Sequence, residues 1–195
     1  MFLDPDPLRA YAEALAELAP GQRVLAAVVT HAAPGVGPLP PPERDLTRTP
    51  GTVAAGVAGA ILSPNLPGGE RLVRLLLGRA AGGAPDSLAA RCRQACEGTS
   101  DLLLVVTDAR LLLFEPLDGG HFVDRADQHD KPASARLRPL WETPVSTVRS
   151  ARVGRYRLNW SRLTVGFGDG SWVAFASLLY MGRGKARRIA AALCG

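Results

Sequence analysis

The amino-acid sequence predicts an α+β fold in which seven antiparallel strands form a strongly bent sheet or barrel capped by a C-terminal helix. Three observations lead to this prediction. Residues 102–115 contain two apolar runs joined by a short polar turn, which is the pattern of a β-hairpin. Residues 160–176 repeat that pattern around Asp169-Gly170, a strong turn signal. From 182 or 184 to 193, apolar residues recur at helical spacing.

Length and composition indicate one globular domain over 1–195. The chain has 195 residues, of which 47% are hydrophobic, so it can bury a substantial core. Its longest apolar runs reach about a dozen residues, whereas a membrane-spanning helix needs roughly 20. The start, MFLDPDP, lacks the basic region of a signal peptide. We therefore expect a cytoplasmic protein, whose basic character would also suit the inner surface of a membrane.

The positive charge is concentrated in the last third of the chain. The net charge is +5, but residues 136–195 carry eleven Lys or Arg against two Asp or Glu. Residues 98–135 are acidic, with three cations and seven anions. A basic segment of this kind predicts an anionic partner. The preference for Arg, together with abundant Ala, Gly and Pro, is also what GC-rich coding produces.

The N-terminal region predicts a helix over 5–19 followed by a strand over 22–30. Asp6 is a suitable N-cap, and Pro7 suits the first helical position. The predicted apolar stripe consists of Leu8, Tyr11, Ala12, Leu15 and Leu18. Pro20-Gly21 ends this helix, and the β-branched run that follows favours a strand.

Residues 32–98 predict an insertion that is first rich in Pro and Gly and then helical. One short helix is expected over 71–79, and a second begins at a cap provided by Asp86 or Ser87 and ends near Glu97. Small and apolar residues of the insertion form a candidate surface for self-association. They are Gly56, Gly59, Leu72, Leu75 and Leu76. Tight packing within a soluble fold is the alternative interpretation of Gly56 and Gly59.

The second half of the chain predicts six further strands, over 102–106, 111–115, 138–142, 146–153, 160–167 and 171–176. In the strand over 160–167 the residues alternate between two faces. Leu163, Val165 and Phe167 form the apolar face, whereas Arg162, Thr164 and Gly166 form the other face.

Four short motifs resemble those of bacterial pleckstrin-homology-like (PH-like) and GRAM-type domains. They are GQRVLAAV at 21–28, T-D-x-R-L-L (Thr107, Asp108, Arg110, Leu111 and Leu112), LWETPVSTV at 140–148, and F-x-D-G-S (Phe167, Asp169, Gly170 and Ser171). The resemblance implies a bent sheet plugged by the C-terminal helix, and a role in contacting anionic lipid headgroups or a protein. It requires Arg23–Thr30 to pair within the same sheet as 102–176.

No catalytic or metal-binding motif is recognised, so we expect neither an enzyme nor a cofactor. Cys92 and Cys96 are four residues apart on one helix face, but two thiols form only half of a metal site, and buried free cysteines are the favoured interpretation. A metal site could also be drawn from His121, Asp124, Asp127, His129 and Asp130. These residues belong to a polar stretch with Gly119-Gly120, which favours a solvated loop.

The sequence therefore predicts a non-catalytic binding module with a basic ligand surface. The candidate ligand-binding residues are Arg149, Arg152, Arg155, Arg157, Arg183, Lys185, Arg187 and Arg188. The expected ligand is an anionic lipid surface or a protein partner. The alternative is that these cations form a solvated basic face with no ligand. A self-assembling structural protein is the second hypothesis. Nucleic acid is disfavoured, because only Tyr156 and Trp160 interleave with these cations and residues 98–135 are acidic.

Overall fold

One antiparallel sheet with helices on both of its faces forms the fold. The computed structural model describes residues 7–33, 79–99, 101–117, 133–156, 159–177 and 182–195. The strands in this part of the chain are β1 (Val24–Ala32), β2 (Ala81–Gly82), β3 (Leu102–Thr107), β4 (Arg110–Pro116), β5 (Leu137–Pro144), β6 (Val148–Tyr156), β7 (Asn159–Phe167) and β8 (Trp172–Ser177). The helices are α1 (Pro7–Ala10), α2 (Ala12–Leu18), α3 (Leu88–Ala95) and α4 (Gly182–Cys194). The predicted α+β class, antiparallel sheet and C-terminal helix are confirmed.

Strand β1 lies at the centre of the sheet. The order is β5-β4-β3-β1-β8-β7-β6, and β2 pairs with β8 beside this path. Val28 pairs with Leu104 of β3, and His31 pairs with Ala176 of β8. The prediction that the first strand joins the same sheet as 102–176 is therefore confirmed. The short strand β2 was not predicted and raises the number of strands to eight.

The sheet curls so that its two ends approach each other. Trp141 of β5 and Phe167 of β7 are five places apart in the strand order, yet their ring centroids are 5.9 Å apart in an edge-to-face contact. Among the described strands, β5 and β6 do not pair, so they remain the two edges of the sheet. The structure thus has the predicted bend, while the described strands form an open sheet.

Two apolar clusters cover the two faces of the central strands. On the inner face, Val28 and Leu104 pack with Ile189 of α4. On the outer face, Val105 packs with Tyr11 and Leu15 of the N-terminal helical segment. All six residues of β3 are buried, because neighbouring side chains of a strand point to opposite faces and both faces are covered. This accounts for the continuous apolar run in the sequence.

The turn between β3 and β4 is organised by the hydroxyl group of Thr107. Its Oγ1 accepts hydrogen bonds from the backbone N–H of Arg110 at 2.8 Å and of Ala109 at 3.2 Å. The carboxylate of Asp108 accepts a bond from the backbone N–H of Arg23, at 3.2 Å, and so joins the turn to the start of β1. Short polar side chains that bond to the nearby backbone are the usual means of fixing such turns.

The N-terminal helical region is divided at Tyr11, where the sequence pattern predicts one continuous helix. Tyr11 has φ −114° and ψ 17°, and its ring is buried beneath the guanidinium group of Arg136, 5.1 Å from the ring centroid. The helical hydrogen bonds continue across this residue, from the N–H of Tyr11 to Pro7 and from the N–H of Leu15 to Tyr11. Ala12 of the predicted apolar stripe is exposed, whereas Ala14 is buried.

The described end of the predicted insertion contains strand β2 as well as a helix. Helix α3 begins directly after Ser87, whose Oγ accepts a hydrogen bond from the backbone N–H of Ala90 at 3.3 Å. Ser87 is thus the N-cap that the sequence offered as one of two choices. The predicted helix over 71–79 lies outside the described residues apart from Arg79.

Candidate anion-binding site

Three arginines of the edge strand β6 line one cleft. In a regular strand, Arg149 and Arg155 would point to the face opposite Arg152. The pairing register between β6 and β7 shifts at Arg149, which is an extra residue of β6, and again between Gly154 and Tyr156, where the extra residue belongs to β7. Such bulges redirect side chains and are common beside functional sites. Here Arg149, Arg152 and Arg155 are all exposed and all line the same cleft.

The cleft is strongly cationic. It has a volume of about 720 Å³, which lies in the range of roughly 300–1,000 Å³ typical of ligand sites. Its described lining residues are Arg149, Ser150, Arg152, Val153, Gly154, Arg155, Arg162, Thr164, Gly166, Phe167, Gly170, Ser171 and Trp172. Four of these are arginines and none is Asp or Glu. The described lining therefore concentrates positive charge, which favours an anionic ligand.

Arg162 of β7 lies in the floor of the cleft and was not predicted as a site residue. Its guanidinium Nη2 donates to the backbone oxygen of Arg79 at 2.5 Å, and its Nε donates to Thr164 Oγ1 at 3.4 Å. The same group stands 5.4 Å from the ring centroid of Trp172, a cation–π contact. Only 5% of the residue is exposed. The feature of the sequence that could have indicated Arg162 as a site residue is its position on the polar face of the predicted strand over 160–167.

Two glycines leave part of the cleft floor without side chains. Gly154 pairs with Arg162 across the strands, and a Cβ at position 154 would meet no atom within 4 Å. Gly166 pairs with Ser150, whose Oγ would be 2.7 Å from a Cβ at position 166. Glycine in a strand often marks the close approach of a ligand or of another backbone. The space above Gly154 is therefore open to an incoming group, while only 5% of Arg162 itself is exposed.

The turn between β7 and β8 holds the N-terminus of α3 beside the cleft. The carboxylate of Asp169 accepts bonds from the backbone N–H of Leu88, at 2.8 Å, and of Ser171, at 2.9 Å. Ser171 Oγ accepts a further bond from the backbone N–H of Ala89, at 3.2 Å. The hydrogen bond from the Ser171 hydroxyl and that from the Leu88 N–H hold the pKa of Asp169 below its ordinary value. This carboxylate is thus committed to α3 and does not line the cleft.

The predicted cations fall into separate groups. Arg149, Arg152 and Arg155 converge on the cleft, whereas Arg187 and Arg188 are exposed on α4 and do not line it. Helix α4 packs through Ala186 and Ile189 against the inner face of the sheet, opposite the cleft.

Lys185, a predicted ligand-binding residue, is 7% exposed and so is largely inaccessible to a ligand. It lies beside the buried Ala186, on the side of α4 that packs toward the sheet. Arg157 and the side chain of Arg183 lie outside what the structure describes, as do the predicted interaction residues Gly56, Gly59, Leu72, Leu75 and Leu76.

The described residues contain no group of three or more metal-ligating side chains. Cys92 and Cys96 are free and buried, as the sequence favoured, and Cys96 Sγ donates to the backbone oxygen of Cys92 at 3.1 Å. The hydrogen bond with the Cys96 thiol, together with burial, raises the pKa of Cys92 well above its ordinary value. Both thiols therefore belong to the protein interior. The loop with His121 and His129 lies outside the described residues.

The molecule is thus an α+β protein with a curled antiparallel sheet, a C-terminal helix and a basic cleft on the outer face of β6, β7 and β8. Comparisons with protein-family models, with curated proteins and with solved structures found no match for this chain. No helix among the described residues is long and apolar enough to cross a membrane.

Proposed function

We propose that this chain is a non-catalytic, PH-like binding module that holds an anionic ligand in the cleft of β6–β8. The PH-like part of the proposal is supported by the pairing of β1 with both β3 and β8 in one sheet. It is further supported by α4, which covers the inner face of that sheet as the GRAM-type resemblance implies. The strand β2 and the undescribed remainder of 32–98 depart from the compact family pattern.

The observation that carries the binding role is the concentration of four arginines among the described residues that line one cleft. Arg149, Arg152 and Arg155 stand along one side of the cleft, and Arg162 stands in its floor. The exposed guanidinium groups of Arg149 and Arg152 can each hold a carboxylate or phosphate through two parallel hydrogen bonds, whereas that of Arg162 already donates to the backbone of Arg79 and to Thr164. No His, Cys, Asp or Glu is found among the described lining residues, so the hydroxyl groups of Ser150, Thr164 and Ser171 have no general base among these residues to activate them.

The experiment compares two charge reversals that change the net charge of the protein equally. Arg152→Glu alters the cleft, and Arg187→Glu alters an exposed cation on α4 as the matched control. Binding is measured to phosphatidylcholine vesicles with and without phosphatidylserine, and to a synthetic acidic peptide, over a salt series. We expect at least one anionic probe to bind, with affinity that falls as salt rises.

Arg152→Glu should weaken that binding about tenfold, equivalent to about 1.4 kcal/mol, whereas Arg187→Glu should leave it within about twofold. An equal loss in both variants would show that binding depends on overall charge alone, and the cleft would then not be the site. Failure of every anionic probe to bind to the wild-type protein would remove the proposed function altogether.

A further inference from the structure

We infer that residues 34–78 are inserted at a single position of one strand line, and that the sheet and its cleft form without them. The statement about the cleft rests on the proposed anion-binding function and assigns that function to the rest of the chain. The pairing register along β8 carries the inference.

Strands β1 and β2 lie end to end along the same side of β8. Ala32, at the end of β1, is opposite Phe175, and Ala81, at the start of β2, is opposite Val173. On β8 only Ala174 separates these two partners. The two strands therefore continue one another across a single place of the ladder, although residues 34–78 lie between them in the sequence.

Ala174 is paired with two residues that share this one place. The backbone N–H of Ala33 donates to the oxygen of Ala174 at 3.1 Å, and the N–H of Ala174 donates to the oxygen of Ala80 at 2.8 Å. In an unbroken antiparallel ladder, a hydrogen-bonded residue exchanges both of these bonds with one partner. Ala33 thus supplies the donor, and Ala80 the acceptor, of a single ladder position. The ladder has no missing hydrogen bond where the chain is interrupted.

The point at which the chain rejoins the sheet is fixed from the side of β7. Arg162 Nη2 donates to the backbone oxygen of Arg79, directly before Ala80, at 2.5 Å. Ala33 and Ala80 are both fully buried, and their small side chains allow two chain segments to meet at one place. The buried guanidinium group of Arg162 therefore holds the rejoining chain beside the floor of the cleft.

The residues that follow this point belong to the sheet and its core. Ala81 of β2, together with Ala89 and Cys92 of α3, packs in the inner cluster with Val28 and Phe175. The predicted insertion over 32–98 therefore has two parts. Residues 79–98 contribute a strand and a helix to the fold, whereas the strand line closes without 34–78. The described lining residues of the cleft also come from 149–172.

The test replaces 34–78 with a flexible linker of about four Gly and Ser residues, which keeps Ala33, Arg79 and Ala80 in the chain. Because loop length changes the closing entropy only slowly, the midpoint of thermal unfolding should stay within about 5 °C of that of the wild type. Hydrogen exchange followed by mass spectrometry should show the same protection of 172–177 in both proteins. Affinity for phosphatidylserine-containing vesicles and for a synthetic acidic peptide should stay within about twofold.

Two substitutions of alanine by leucine test the shared place in the intact chain. Ala80→Leu crowds the position at which two segments meet, and should lower the midpoint of thermal unfolding by about 5 °C. Ala58→Leu, within 34–78, is the matched control and should change the midpoint by less than about 1 °C. An equal or larger effect of Ala58→Leu would show that packing by 34–78 supports the fold, and would overturn the inference.

The outcomes for the replacement variant separate this inference from the proposed function. An unfolded variant, or loss of protection over 172–177, would overturn the inference. A folded variant that binds the anionic probes more than about fivefold more weakly than the wild type would place part of the binding site in 34–78, and would also overturn it. If the wild type binds none of these probes, the proposed function falls, while the unfolding and exchange measurements still decide whether the sheet forms without 34–78.

Discussion

Asp169 joins the β7–β8 turn to helix α3, and the variant Asp169→Ala tests how far this contact stabilises the protein. The substitution removes the acceptor for the backbone N–H of Leu88 at the first residue of α3. It also removes the acceptor for the backbone N–H of Ser171 within the turn. We therefore expect the end of α3 nearest the cleft to become less stable, and the whole domain to unfold at a lower temperature.

Three hydrogen bonds are lost, and the size of the effect follows mainly from the two donated by backbone N–H groups, because the Ser171 hydroxyl can rotate to another acceptor. Loss of a side-chain acceptor at a helix N-terminus costs about 0.5–2 kcal/mol, and a typical turn bond contributes about 1 kcal/mol. Because the carboxylate is largely exposed, we take the lower part of the combined range, about 1.5 kcal/mol. In a chain of 195 residues, 1 kcal/mol shifts the midpoint of thermal unfolding by about 2–4 °C, so the expected decrease is about 3–6 °C.

Thermal and urea unfolding followed by circular dichroism measure this decrease. Asp86→Ala is the matched control, since Asp86 is an exposed aspartate just before the cap Ser87 and should change the midpoint by less than about 1 °C. The pKa of Asp169 is lowered in the folded protein, so its stabilisation is present above the unfolded pKa of about 3.9 and is lost as pH falls through the folded pKa. The difference between wild type and Asp169→Ala should therefore be constant from about pH 5 to 7 and shrink below about pH 4. An equal effect of the two substitutions, or a difference that does not shrink in acid, would refute the capping role.

Three further predictions concern packing and thiol access. Leu15→Ala should lower the free energy of unfolding by about 2–5 kcal/mol, because Leu15 is 1% exposed in the outer-face cluster. Urea unfolding measures this loss, and a value below about 1 kcal/mol would contradict the packing. Gly82→Ala should displace Trp172, because a Cβ at position 82 would lie 2.5 Å from the indole Nε1. This displacement should shift the tryptophan fluorescence emission. Gly154→Ala is the control, because open space surrounds position 154, and it should leave the emission unchanged. A thiol reagent should modify Cys194 rapidly, and Cys92 and Cys96 only on unfolding. Rapid reaction of more than one thiol per native chain would argue against the burial of Cys92 and Cys96.

Features fixed by short-range chemistry could be predicted from the sequence. The hairpin at Thr107 depends on hydrogen bonds to residues two and three positions away, so its residues are visible together in the sequence. Ser87 as a helix cap is equally local, because it bonds to Ala90. The apolar runs of β3 and the alternation over 160–167 depend on strand periodicity, which the sequence also displays. These features were sufficient to predict the fold class and most of the strands.

The cleft depends on contacts between distant residues, and this is why only part of it could be predicted. Arg162 is held by the backbone of Arg79, which is 83 positions away, so its place in the floor has no local signal. The bulge at Arg149 arises from the pairing of β6 with β7 rather than from either strand alone. Lys185 is buried because its helix face meets the sheet, whereas its neighbours in the sequence indicated a solvated basic turn.

The central position of β1 bears on the order in which the protein can fold during synthesis. Thr30 of β1 pairs with Ser177 of β8, 147 residues later. Until β8 has left the ribosome, β1 can pair only with β3, and the backbone groups on its other edge remain exposed. Closing the sheet over such a separation costs chain entropy before the contacts form, so folding should be slow relative to helical proteins of similar length. The unpaired edge of β1 is therefore the part of a nascent chain that most needs protection from other extended chains.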